Sequence, residues 1–166
     1  MMNETILENL LSDKAKQQID HWIKKYPKEQ KQSAVLPALH IVQDENGGWL
    51  SEPLMRAVAE YLGMPDVAVY EVATFYNMYD LKPVGRHKIL VCTNISCMLC
   101  GCEKIVDHLK KKLNVEFGET TEDGRFTLKE VECMAACTTA PMVQIDKDYH
   151  ESLTTEKLDQ ILEKYS

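Results

Sequence analysis

Cys92 and Cys97 stand in VCTNISC with C-x4-C spacing, and Cys133 and Cys137 stand in ECMAAC with C-x3-C spacing. Thirty-five residues lie between the two clusters, from Met98 to Glu132. That interval has room for one helix and one strand. Each cluster also follows a segment that reads as a strand. His87-Lys-Ile-Leu-Val-Cys92 is rich in branched apolar residues, and Phe126-Thr-Leu-Lys-Glu-Val131 alternates with period two. If those strands are neighbours in one sheet, both cysteine loops leave the same edge and four sulfurs can converge. Few folds satisfy that condition.

Composition narrows the class further. The 166 residues are 45% hydrophobic and 27% charged, enough for one domain or two small ones with buried cores. The formal net charge of −7 argues against a nucleic-acid partner, which calls for a basic face. The one basic run, Lys110-Lys111-Lys112, reads as a solvated helix face. The start MMNETILENLL lacks a basic region and carries Glu4 and Glu8, unlike a secretory or Arg-rich transit leader. No apolar run approaches the ~18 residues of a membrane span, so no direct membrane insertion is expected. A cytoplasmic location follows as an expectation, and there six cysteines point to reduced, metal-bound or redox-active thiols rather than structural disulfides.

The first half reads as a small helical bundle, residues 1–84. Ser12 caps a segment carrying Ala15, Ile19, Trp22, Ile23 and Tyr26 on one face, and Pro27 stops it. Ser33 is expected to cap a second helix that ends near Gly47-Gly48, with Pro37 in its first turn. Ser51 caps a third, with Pro53 early, Leu54, Val58, Tyr61 and Leu62 inside, and Gly63 closing it. Pro65-Asp66 opens a fourth, through Val69, Val72, Phe75 and Tyr76. The stretch Val72 to Tyr79 reads either as bundle core or as an interface, where Tyr and Met are enriched. Asp80 to Gly85 is expected to be a linker. Residues 85–166 then give β-α-β-β-α, with a helix over Gly101–Leu113, a strand at Met142–Ile145 and a last helix from Thr155. The fold class expected is α+β.

Four thiolates on two loops suit a [2Fe–2S] cluster, in which each iron takes two terminal cysteines. Backbone N–H groups of Gly101, Ala135 and Ala136 are candidates for hydrogen bonds to the sulfurs. Other assignments stay open at this point. Cys92, Cys97 and Cys100 also read as C-x4-C-x2-C, the plant-type ferredoxin run, with Cys133 as a fourth ligand. Cys97-Met-Leu-Cys100 between a strand and a helix resembles a thiol–disulfide motif but leaves Cys92, Cys133 and Cys137 without a role. Zinc takes thiolates too, though its sites usually pair two C-x2-C motifs. Buried apolar filling is the plain alternative for every cysteine, and for Cys102, on an apolar helix face, it is the better one. Cys100 is expected near the cluster as a non-ligand. The five histidines are expected on solvated surface. No G-x-G-x-x-G, no G-x-x-x-x-G-K-[ST] and no Ser/His/Asp pairing occurs, so neither a nucleotide site nor a catalytic residue is expected.

VYEVATFYNMYDLKPVGRHKILVCTNISCMLCG (69–101) and GRFTLKEVECMAACTTAPMVQID (124–146) closely resemble the small [2Fe–2S] subunit, the E subunit in bacteria, of respiratory NADH:quinone oxidoreductase, complex I. The helical half resembles the family as well. The resemblance implies a thioredoxin-like [2Fe–2S] ferredoxin domain behind a helical bundle. It puts the ligands of one [2Fe–2S] cluster on Cys92, Cys97, Cys133 and Cys137, and rejects the plant-type set. It implies a redox component of an enzyme, peripheral to the inner membrane, exchanging single electrons with a larger flavoprotein subunit that carries FMN and binds NADH. The equivalent component of an NAD-linked hydrogenase or formate dehydrogenase, or a free ferredoxin of this fold, is the runner-up. Cys100 departs from the family, which commonly reads CMLRG at this point.

Overall fold

The computed structural model describes residues 10–165; Glu4 and Glu8 of the acidic start lie outside them. The chain divides into two compact units, Met1–Pro83 and Val84–Ser166.

The first unit contains α1 (Asp13–Ile23), α2 (Val35–Glu45), α3 (Glu52–Leu62) and α4 (Asp66–Phe75). Ser12 caps α1 as expected, its Oγ accepting from the Ala15 N–H at 2.9 Å. The same hydroxyl donates to Glu45 Oε2 at 2.8 Å, which ties α1 to the end of α2. Gly63 closes α3 in the left-handed region, and Met64 N–H bonds back to Ala59 O at 2.8 Å. Ser33 does not cap. Residues Lys28–Ala34 form 3₁₀ turns with a kink at Gln30, and Val35 N–H bonds to Gln32 O, so α2 continues from a preceding turn instead of starting fresh. Ile19, Leu39, Leu50, Val58 and Val69 are fully buried in one core.

Two expected core aromatics lie outside it. Trp22 is 36% exposed with Lys25 Nζ 3.5 Å over its ring, and Phe75 is 80% exposed. In α4 the buried pair is Val69 and Ala73, four apart, and Phe75, two residues past Ala73, lies on the opposite side of the helix. The Val72–Tyr79 stretch therefore divides: Ala73 and Tyr79 are buried, while Phe75, Tyr76 and Met78 are exposed. The expected linker is also tied down at both ends. Asp80 is buried, its N–H donating to Gln43 Oε1 at 2.8 Å and its carbonyl accepting from Leu50 N–H at 2.7 Å. Gly85 is buried as well, its N–H donating to Thr127 Oγ1 at 2.6 Å.

The second unit is a four-stranded sheet in the order β2-β1-β3-β4, built from β1 (His87–Cys92), β2 (Phe126–Val131), β3 (Val143–Ile145) and β4 (Asp148–His150). β1 runs parallel to β2, from His87 opposite Phe126 to Cys92 opposite Val131. β3 is antiparallel to both β1 and β4. A short helix α5 (Ile95–Leu99) and a longer α6 (Cys102–Leu113) cross over from β1 to β2, and α7 (Thr155–Leu162) follows β4. Ile89, Leu109, Phe126, Leu128, Ile145 and Leu158 fill the core. Three histidines expected on open surface are half-buried here. His87 lies 2.7 Å from Asp146, His108 lies 2.7 Å from Asp159, and His150 lies against the Tyr165 ring. Each imidazole packs where its element meets a neighbour, and that neighbour satisfies its ring polarity.

Candidate metal centre

The parallel register of β1 and β2 puts the two cysteine loops at one end of the sheet. Cys92 ends β1 beside Val131, and Cys133 follows β2 by two residues. The loops are tied beyond the last strand pair. Thr93 N–H donates to Val131 O at 3.3 Å, Thr93 Oγ1 donates to Glu130 Oε1 at 2.8 Å, and Asn94 Nδ2 donates to Glu132 Oε2 at 3.0 Å. Asn94 also starts α5, its Oδ1 accepting from Ile95 N–H at 2.9 Å. That helix carries Cys97 as its buried residue.

All six thiols are free, in two different settings. Cys92 and Cys97 are 3% and 2% exposed and pack with Cys102 and Met142, while Cys133 and Cys137 are exposed. Among the described residues, no three His, Cys, Asp or Glu side chains stand together as a metal-holding group. The structure thus brings the first pair together and carries the second pair on the 132–142 loop beside it. Burial pushes the Cys97 thiol up to about 11, with the hydrogen bond and charge of Cys92 adding to the effect. Burial likewise pushes Cys102 up, with the charges of Cys92, Glu103 and Glu130 behind it. A metal that binds here must displace protons from desolvated sulfurs.

Of the backbone donors expected around the sulfurs, one is in place. Ala135 N–H donates to Cys133 Sγ at 3.3 Å, in a turn where Ala135 has φ 59°. Gly101 N–H bonds to Met98 O instead, because the chain turns there from α5 into α6. Cys100, expected close to the sulfurs, is the exposed C-terminal cap of α5. The two loops therefore offer free thiols, carried at the ends of two paired strands, a donor type that suits soft iron–sulfur ligation.

Residues 19–166 match the family model of the thioredoxin-like [2Fe-2S] ferredoxin. The chain belongs to this family. The E subunit of NADH-quinone oxidoreductase from Rickettsia felis is 51% identical to this ferredoxin over 144 residues, 87% of this chain and 86% of that one. The corresponding E 2 subunit from Rhizobium meliloti is 44% identical over 150 residues, 90% of this chain and 88% of that one. The crystal structure of an NAD+-reducing [NiFe]-hydrogenase shares the fold, with a TM-score of 0.68 at 21% identity. That match spans 79% of this ferredoxin and 22% of the hydrogenase chain. The expected fold class holds: a helical region precedes a thioredoxin-like [2Fe–2S] domain. The protein is a redox component of an oxidoreductase, and a [2Fe–2S] cluster is its family's cofactor. No helix of the described residues is long and apolar enough to cross a membrane.

Proposed function

We propose that this ferredoxin is the [2Fe–2S] subunit of an NADH:quinone oxidoreductase, complex I, with its cluster on Cys92, Cys97, Cys133 and Cys137. Its partner is a larger flavoprotein subunit that binds NADH and FMN, and it sits at the cytoplasmic side, peripheral to the inner membrane. The observation that carries this reading is the parallel β1–β2 pair, which delivers both cysteine loops to one end of the sheet. Identity of 51% to the E subunit from Rickettsia felis, over most of both chains, supports the assembly.

When bound, the cluster supplies one-electron redox chemistry, which matches a flavin that receives electrons from NADH in pairs and passes them on singly. The protein's own residues do the rest. Cys92 and Cys97 offer a desolvated, pre-paired half-site, and burial favours the protonated Cys97 thiol until metal arrives. Cys133 and Cys137 close the other half from an exposed loop, and the Ala135 N–H is already directed at one of those sulfurs. Exposed Phe75, Tyr76 and Met78 give the helical unit an apolar face for the partner.

Iron and acid-labile sulfide analysis, with EPR of the dithionite-reduced protein, tests the reading. About two irons and about two sulfides per chain are expected, with a rhombic signal of a reduced [2Fe–2S] centre. Cys137→Ala should lose the cluster and Cys100→Ser should keep it. Zinc without sulfide would overturn the proposal, and full cluster content in Cys137→Ala would return the plant-type ligand set.

A further inference from the structure

Cys100 and Cys102 remain outside the proposed ligand set, and the structure treats them oppositely. Cys100 is exposed, whereas Cys102, the first residue of α6, is 2% exposed. The sequence alone makes Cys102 part of the apolar face of α6. That face, Ile105 and Leu109, packs into the main core of the sheet. Cys102 does not join it. It belongs to a separate buried group with Cys92, Cys97 and Met142, bordered by Met134, Ala136 and Ala140. The left-handed turn at Gly101, φ 84°, separates α5 from α6, so the first side chain of α6 shares a pocket with the middle side chain of α5.

An apolar filler there needs no heteroatom. A thiol matches a small hydrophobe in size but adds an S–H donor and a polarisable sulfur. Within this group the side-chain acceptors are themselves sulfurs, those of Cys92, Cys97 and Met142. We infer that Cys102 is a positioning residue for the [2Fe–2S] site, donating its S–H to the Cys92 sulfur and raising the reduction potential. The inference rests on the ligand set proposed above. Reduction adds negative charge that the ligand sulfurs share, and a donor aimed at one of them stabilises the reduced state. Ligation stays with the other four cysteines.

The test uses the full chain with its cluster as wild type, Cys102→Ser, Cys102→Ala and Cys102→Val. Serine keeps a donor, whereas alanine and valine remove it. Valine also keeps the volume filled, so it serves where the alanine cavity lowers iron content. Iron and sulfide per chain, EPR line positions and the midpoint potential from a redox titration are read on each. Iron content should stay at the wild-type level in the serine and valine variants. The potential should fall in the alanine and valine variants and not in serine. Equal potentials in all proteins would overturn the inference, as would a fall in serine equal to that in valine. Loss of iron from serine and valine alike would overturn it too, by making Cys102 a ligand. A wild-type chain without iron and sulfide is a separate result, and it removes the proposed function itself.

Discussion

Gly85 occupies a position with no space for a side chain. A Cβ added there would lie 2.9 Å from the backbone carbon of Phe126 and 3.0 Å from the backbone of Arg125. The approach lets Gly85 N–H reach Thr127 Oγ1 at 2.6 Å, while Thr120 and Thr127 hydroxyls meet at 2.7 Å. Backbone cannot yield as a flexible side chain does, so Gly85→Ala must push the start of β1 away from β2. The expected loss is about 1–3 kcal/mol, as for overpacking in a core. Urea unfolding measures it, and an unchanged midpoint would show that the entry to β1 moves freely. Other residue-level features were less legible in the sequence. Helical spacing assigned Cys102 to the α6 core. The structure buries it with Cys92 and Cys97 instead, because a left-handed glycine between two helices resets which side chains share a pocket. Periodicity carries no signal for such a reset.

Most elements were legible, and α5 and β4 were not. β1, β2, β3, α6 and α7 follow from runs of branched residues or helical spacing within a residue or two of their ends. α5 is five residues long, too short to show a period, although the Asn94 cap was there to be read. β4 is three residues long and pairs only with β3. What holds α7 to α6 was also invisible, because it joins residues about fifty apart in the chain. His108 Nε2 and Lys112 Nζ each lie 2.7 Å from Asp159 Oδ1. The His108 hydrogen bond, then that of Lys112, holds the Asp159 carboxyl below its ordinary range. A depressed folded pKa contributes stability above the unfolded carboxylate value of about 4, and that contribution is lost as pH falls through the folded value. The pair is partly exposed, so its worth is below about 1 kcal/mol. Asp159→Asn should therefore melt a few degrees below wild type near neutral pH, by roughly 4–8 °C per kcal/mol, and converge with it in acid. A gap in melting temperature that stays constant from neutral to acid pH would exclude this clamp.

The two units divide the work of the whole molecule. Val84–Ser166 has its own sheet, its own core and all six cysteines, and Met1–Pro83 has a separate helical core. Under the proposed function, electrons from NADH reach the cluster through the flavoprotein partner. The purified chain should bind neither NADH nor FMN, and NADH should reduce its cluster only when the flavoprotein partner is added. A stable contact between subunits calls for more than the small area around one cluster, on the order of 800 Å² per partner. The exposed Phe75, Tyr76 and Met78 are available for that in the helical unit. Removing residues 1–83 should accordingly leave an ordinary [2Fe–2S] spectrum in the remaining unit while weakening its association with the partner at least tenfold, a change of about 1.4 kcal/mol. Titration of labelled partner against the full and shortened chains measures the second effect, and EPR measures the first. Equal affinity of the two chains would confine the interface to the cluster unit. Direct stoichiometric reduction of the lone full-length chain by NADH would remove the need for a partner and with it the assignment to a larger assembly.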